Sequence, residues 1–455
     1  MSHLALQLAE WTSGLQTANI PANVKEAAVR AVIDTTGVIL AGATDDIAPV
    51  MRDWVTERPR SGGAIVPPFG LATDLETGAL ALGVLAHALD FDDIHPAMLG
   101  HPSAVLVPVI LSLGPAVQAT GERAVAAYVA GGELAAHLGR ATAALQYNRG
   151  WHTTSTIGVL AAAATAAHLL GLDPTTTAHA LGLAASAAAG LRANFGSHAK
   201  PLHAGQAACH GVTAALLARA GLRAAPNALD GPRGYMENFA GDRGAGATVA
   251  SSLGERWELA DPGLQVKLYA CCGGAHRPID ALLDLVHEEQ LTAKEVKEVV
   301  ALVDPLVPTL LVYPQPTTVS EARFSLHYCL AAALADGKLS LGHFTPASIG
   351  RADLRALGQR VRMEVHPELV THKGELAFAE VRVVTRSGAR FSRRVDYPKG
   401  SGQRPLTQNE LEQKFLDCAC LYAPTHNWSS ALRAILDLRT RGSVAAVVKA
   451  LTVSG

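Results

Sequence analysis

Small residues at helical spacing fill the first half of this chain. From Leu4 to about Leu222 apolar positions recur every three or four residues, and alanine and glycine take many of them. Helices faced with such residues can bring their axes close together, so the pattern predicts a large helical bundle. Five helices are read within it: Asn23–Ala41, entered after Pro21 and stopped by Gly42; Thr77–Phe91; Glu122–Leu138; Ser155–Leu170; and His203–Ala220. The apolar runs Ile157–Leu172 and Ala178–Leu191 are broken by His168, His179 and Ser186. Both fall short of the roughly 20 strongly apolar residues a membrane span needs, so they read as buried helices.

The texture changes after Gln265. Val299–Val303 is a valine-rich run closed by Asp304-Pro305, and Val361, Met363 and Val365 alternate with polar neighbours. Ala379, Val381 and Val383 lead through Ser387-Gly388 to Phe391, Val395 and Tyr397, a hairpin pattern. Helices are read between these strands at Pro278–Glu289 and Ser320–Ala335, which makes this stretch an α+β unit. Helix then returns with a capping box at Thr407-Gln408-Asn409-Glu410, followed by Ser429–Leu438 and Ser443–Leu451. The expected architecture is mainly α. A large all-helical domain of residues 1–266 is completed by helices at 403–455, and a smaller α+β domain of residues 267–402 is inserted between them.

With 455 residues, 49% apolar and 17% charged, the chain has ample core for two domains and no general disorder. A net charge of -2 argues against nucleic acid or an anionic membrane as partner. Met1–Glu10 lacks a basic start and reads as the beginning of a helix rather than a secretion signal. Six cysteines without a CxxC pair suit neither zinc nor a disulfide framework, and the expected location is the cytoplasm.

Four polar clusters interrupt the apolar texture. The first runs from His87 through Asp90, Asp92, Asp93 and His95 to His101-Pro102-Ser103. If helical, it puts His87 and Asp90 on one face with Asp93 three residues on. Solvated acids at a helix end are the plain reading; a metal site is the sharper one, though the spacing matches neither a calcium loop nor HExxH. The second, Tyr147-Asn-Arg149-Gly-Trp151-His152-Thr-Thr, enters a long buried helix. The third, Ser197–Gly205, sets Lys200 between His198 and His203, after Arg192 and Asn194. Pro201 predicts an extended Lys200 at a loop tip, with the helix starting near His203. The fourth is Lys267–Pro278, with Cys271-Cys272-Gly273-Gly274 before His276; by structure alone it is a hinge. Three of these clusters place a His or Lys where a loop meets a helix N-terminus. Such ends favour carboxylates by about 0.3–1 kcal/mol each. Dinucleotide, P-loop and nucleophile-elbow motifs are absent.

The segments HALDFDDIHPAMLGHPSA, YNRGWHTTSTIGVLAAAATAAHLLGLD, GLRANFGSHAKPLHAGQAACHG and YACCGGAHRPIDAL resemble, in order, the signature blocks of the MmgE/PrpD family. That family holds 2-methylcitrate dehydratase, cis-aconitate decarboxylase and iminodisuccinate epimerase. The resemblance covers nearly the whole chain and implies a helical domain with an inserted lid, a homodimer, and no metal or organic cofactor. Asp90 and Asp93 match the acids of the first block and His101 its HPS histidine. His152 matches the GWH histidine, Lys200 the KPLHAG lysine, His276 the histidine after CGG, and Tyr313 a lid tyrosine. Tyr147 stands where epimerase-like members carry a tyrosine. Asp93-Ile94-His95 departs from the D-T-W of dehydratases and decarboxylases, and His101-Pro-Ser-Ala104 departs from the dehydratase HPSDN.

The expected function is therefore a cofactor-independent lyase or isomerase. It would act at the carbon α to a carboxylate of a small di- or tricarboxylate. Arg192 and Lys200, with His203 and Tyr313, would hold the substrate. His101, His152 or His276 would move the proton, and Asp90 or Asp93 would orient a histidine. Tyr147 and Lys200 are candidates for opposite faces in an epimerisation. The rivals are a non-catalytic polycarboxylate-binding protein and an Asp/His metallohydrolase.

Overall fold

The computed structural model describes residues 3–58, 62–242, 244–372 and 376–453. It divides into two compact units: Met1–Val266 with Thr407–Gly455, and Lys267–Leu406.

The first unit is built on helices α1 (Ala22–Gly42), α2 (Leu75–His87), α3 (Ser103–Ala116), α4 (Gly121–Asn148), α5 (Gly158–Leu170) and α6 (Ala199–Arg219). Small residues set their spacing, as the pattern predicts. A Cβ added at Gly83 of α2 would lie 2.7 Å from the Gly205 Cα of α6, and one added at Gly205 would lie 2.5 Å from the Leu80 carbonyl oxygen. The two backbones therefore touch, and any side chain at either glycine would force them apart. Farther along α6, a Cβ at Gly211 would meet Ala162 of α5 at 2.2 Å. Helix starts follow local chemistry. Asp74 accepts the Thr77 N–H at 2.7 Å, and Thr120 accepts that of Arg123 at 3.2 Å.

The stretch Thr153–Leu170, a short turn leading into α5, is long and apolar enough to cross a membrane by length and composition. Of this stretch, 89% is buried within the fold, as a core helix.

Several expectations need correction. The bundle is not all-helical: Ala64–Val66 (β1) and Leu71–Thr73 (β2) form a small antiparallel hairpin around the left-handed Gly70. Helix α2 stops at His87, four residues short of Phe91, so His87, Asp90 and Asp93 do not share a helical face. Asp90 instead takes a positive φ of 49°, a conformation that aspartate tolerates and that turns the chain out of the helix. Helix α4 runs ten residues past Leu138 and carries Tyr147. Lys200 is not extended; it lies in the first turn of α6. Pro201 allows this because a first-turn residue has no intrahelical N–H bond to lose.

The second unit holds α7 (His276–Glu288), α8 (Leu326–Asp336) and a four-stranded sheet of β3 (Val296–Val303), β4 (Val361–Val365), β5 (Ala379–Thr385) and β6 (Arg390–Val395), in the order β4-β3-β5-β6. β3 and β4 are parallel and the other pairs antiparallel. Helix α7 packs on β5 and β6, and α8 on β4. The single helix expected at Ser320–Ala335 is two, because Ser325 caps a new start by accepting the Tyr328 N–H at 3.1 Å. The chain then returns to the first unit through α9 (Gln408–Tyr422), opened by the capping box at Thr407 and Glu410.

Candidate active site

The contact of Gly83 with Gly205 places the end of α2 beside the start of α6. His87 is one turn beyond Gly83; Lys200 and His203 lie within about one turn before Gly205. The loop after His87 folds back across this junction. His101 follows it, and His152 comes in from the turn that caps Thr153–Thr156.

The polar side chains then meet at short range. Lys200 Nζ lies 2.7 Å from Asp90 Oδ1, and His101 Nε2 lies 3.6 Å from the same oxygen. Asp92 Oδ2 is shared by two imidazoles, His87 Nδ1 at 2.8 Å and His101 Nδ1 at 3.1 Å. His152 Nδ1 sits 3.1 Å from His203 Nδ1, and the His87 and His152 rings stack at 5.7 Å. Phe195 closes one side: its ring lies 4.9 Å from that of His152 and 5.3 Å from Lys200 Nζ. Arg192 stacks on the Tyr147 ring at 3.9 Å and donates to the Tyr147 carbonyl at 2.8 Å. Tyr147 in turn meets the Phe195 ring edge at 6.5 Å.

Burial sets the charge states. His101 is 8% exposed, Lys200 5%, His152 1% and Asp92 0%. Burial pushes His87 down to about 3, a shift that the Lys200 and His101 charges deepen and Asp92 opposes. Burial, with His87 and Lys200, holds His152 well below the ordinary histidine value, and His203 is lowered by burial and Lys200. These three rings are neutral at pH 7 and can accept a proton or a hydrogen bond. Burial opposes the charge on Asp92, yet the His101 and His87 rings outweigh it and hold that carboxyl well below its usual range. A cation in the first turn of a helix is disfavoured by the helix dipole; the Asp90 carboxylate offsets this for Lys200.

Of the residues expected from sequence, Asp90, His101, His152, Lys200 and His203 come together here, bordered by Tyr147 and Arg192. Asp93 is buried on the same loop but does not face an imidazole. Its carboxylate takes the Ser103 hydroxyl, which also lies 2.6 Å from the Tyr128 hydroxyl. Asp92 faces both His87 and His101 and Asp90 faces His101, and Asp92, His87 and Phe195 are the additions the structure makes. His198, the other neighbour of Lys200, points to the surface and pairs with Asp46 at 2.9 Å. His276 and Tyr313 belong to the second unit. His276 is fully buried there, with Nε2 3.3 Å from the Cys271 carbonyl and its ring 5.1 Å from Tyr269. Tyr313 is half-buried, and its N–H points to the Phe324 carbonyl at 3.4 Å.

Four ligand atoms, one each from His87, Asp90, Asp92 and His101, lie within 4.8 Å of one another, a set that could hold a divalent cation. Lys200 already brings a positive charge to Asp90.

Comparison with known proteins extends the match over both units. The MmgE/PrpD N-terminal domain matches residues 6–247 and the C-terminal domain residues 269–439. The chain belongs to the MmgE/PrpD family. Human cis-aconitate decarboxylase is 29% identical over 88% of this chain and 85% of its own length. The cis-aconitate decarboxylase-like protein oryM of Aspergillus oryzae is 27% identical over 97% and 96%. Cis-aconitate decarboxylase of Aspergillus terreus is 24% identical over 91% and 89%. This MmgE/PrpD chain is an enzyme, and the buried His/Asp/Lys cluster lies in its first unit.

Proposed function

We propose that this MmgE/PrpD member is a lyase that acts at the carbon α to a carboxylate of a small tricarboxylate, with decarboxylation of cis-aconitate as the first reaction to test. The observation that carries the reading is the arrangement of His101 between two carboxylates, beside a buried lysine and a neutral His152. Lys200 and Arg192 supply the positive charge a polycarboxylate needs. In a water-poor site that charge acts with more force than it would in solvent.

Loss of CO₂ leaves an electron pair that must end on carbon with one proton delivered to it. His101, oriented by Asp90 and Asp92, is the proton donor in this reading, and His152 accepts or relays a proton on the neighbouring side. Elimination of water or epimerisation would begin at the same carbon and differ in where the second proton goes. The second unit would act as the lid, bringing His276 and Tyr313, and the enzyme would work as a cytoplasmic homodimer with no added cofactor.

The test is incubation of the purified enzyme in heavy water with cis-aconitate, citrate, 2-methylcitrate or iminodisuccinate, followed by NMR. Release of CO₂ from cis-aconitate, with one deuterium on the product carbon, is expected. No reaction and no exchange with any of the four would end the proposal. Exchange without CO₂ release would move it to dehydration or epimerisation.

A metal-dependent hydrolase is the second reading, favoured by the four convergent ligand atoms of His87, Asp90, Asp92 and His101. It requires activity that a chelator abolishes and one divalent metal restores.

A further inference from the structure

One buried cation in the first unit is left over by the chemistry above. Lys414 lies on α9, more than 300 residues from the reacting loop in sequence. Its Nζ is 2.6 Å from Asp34 Oδ1, at the middle of α1, and both side chains are almost fully buried. The same Nζ donates to the Phe91 carbonyl at 2.9 Å and sits 3.9 Å from the centre of the Phe91 ring. Phe91 is the residue between Asp90 and Asp92. The ammonium thus grips the peptide that carries both site carboxylates, at the turn where Asp90 has its positive φ.

Its seat is rigid. Helix α9 packs along α1, and a Cβ at Gly37 would lie 3.0 Å from the Phe415 Cα, so Lys414 is held between close-packed backbones. Asp34 also sits near enough to Asp93 for its charge to disfavour ionisation there, and the Asp92 charge in turn disfavours that of Asp34. Without a cation beside it, Asp34 would add a negative charge behind the carboxylates that hold His101 and Lys200.

We propose that Lys414 is a positioning residue for the reaction: through the Phe91 carbonyl and by neutralising Asp34, it fixes the direction in which Asp90 and Asp92 present their carboxylates to Lys200, His101 and His87. The assignment rests on the active-site reading above.

Lys414→Met alone leaves Asp34 buried and unpaired and can fail by unfolding. The informative variant is the pair Lys414→Met with Asp34→Asn, which removes both charges together. It should stay folded, lose at least about tenfold in kcat with KM changed less than about threefold, and leave the ring nitrogens of His87 and His101 without a fixed tautomer. Nitrogen-15 NMR of labelled histidine reads the last effect without any substrate. The proposal is overturned if the folded pair variant keeps its histidine nitrogen shifts and turns over within about threefold of the unmodified enzyme. Shifted nitrogens in an enzyme that turns over no polycarboxylate would uphold the role of Lys414 and remove the polycarboxylate reading instead.

Discussion

Asp92 and Asp93 are the same residue, adjacent in the chain and both fully buried, yet the fold holds them in opposite states. Asp92 faces two imidazoles, which keep its carboxyl well below the usual range. Asp93 faces the hydroxyl of Ser103, which is itself bonded to that of Tyr128, and burial, reinforced by the charge of Asp34, pushes it up to about 8. Desolvation is the largest influence on both, so depth alone does not decide whether a buried acid ionises. For this pair the facing wall decides: imidazoles for Asp92, a hydroxyl and the charge of Asp34 for Asp93. One side of this loop is built for charge and the other for a neutral hydrogen-bonded scaffold that holds Ser103 at the start of α3.

The contrast is tested most severely on its charged side. Lys200→Ala and His152→Ala should each reduce turnover by at least about 10²-fold, the range of lost general acid–base catalysis. Near-normal steady-state rates in both would mean the chemistry lies elsewhere.

The comparison sharpens when the two acids are replaced in turn. Asp92→Asn should cost about 10²-fold in kcat, since it frees both imidazoles at once. It should also remove an acid-sensitive part of stability. A carboxyl depressed on folding contributes above its unfolded value of about 3.9, and that contribution is lost as pH falls through the folded value. Asp93→Asn mimics the protonated acid and should keep turnover within about threefold. Here the sign reverses: the folded state retains a proton that the unfolded chain releases above about 3.9. The unmodified enzyme therefore loses stability as pH rises from there to about 8, the value to which Asp93 is raised, and the Asn variant should outlast it increasingly over that window. Thermal melts of the three proteins from about pH 2 to about pH 8 check both signs, the Asp92 effect below about 3.9 and the Asp93 effect above it. Parallel curves would show that the two sides of the loop do not differ.

The smallest effect separates the neighbours of Lys200. His198→Ala touches only an exposed pair with Asp46 and should shift stability by less than about 0.5 kcal/mol with turnover unchanged. His203→Ala removes the partner of His152 and should lower turnover measurably in the same assay.

Much of this was legible in the sequence, and the losses have physical causes. The small-residue texture announced the bundle because glycine and alanine at helical spacing have few other uses, and the Gly83–Gly205 contact is that texture acting at one point. The capping box at Thr407 and the hairpin at Ser387-Gly388 were readable because each is a local signal with a fixed geometry. His101, His152, Lys200 and His203 were readable as polar residues in apolar surroundings. The roles within Asp90-Phe-Asp92-Asp93 were not. Which acid faces the imidazoles depends on where α2 stops, and Asp90 turns the chain with a positive φ that periodicity does not register. Lys200 was misplaced for a related reason: the bias that proline exerts on the preceding residue gave way to a first turn that binds Asp90. Lys414 carried no signal, because its meaning comes from a contact spanning most of the chain.

The touching backbones at Gly83 and Gly205 have one more consequence. They make the gap between His87 and Lys200 a fixed length of the molecule, set by bare main chain with no side chain available to adjust it. While both glycines stay, the width of this site cannot be tuned by sliding the two helices. It can be tuned only through the reach of side chains such as Arg192, Phe195 and Tyr147, which approach the gap from its rim.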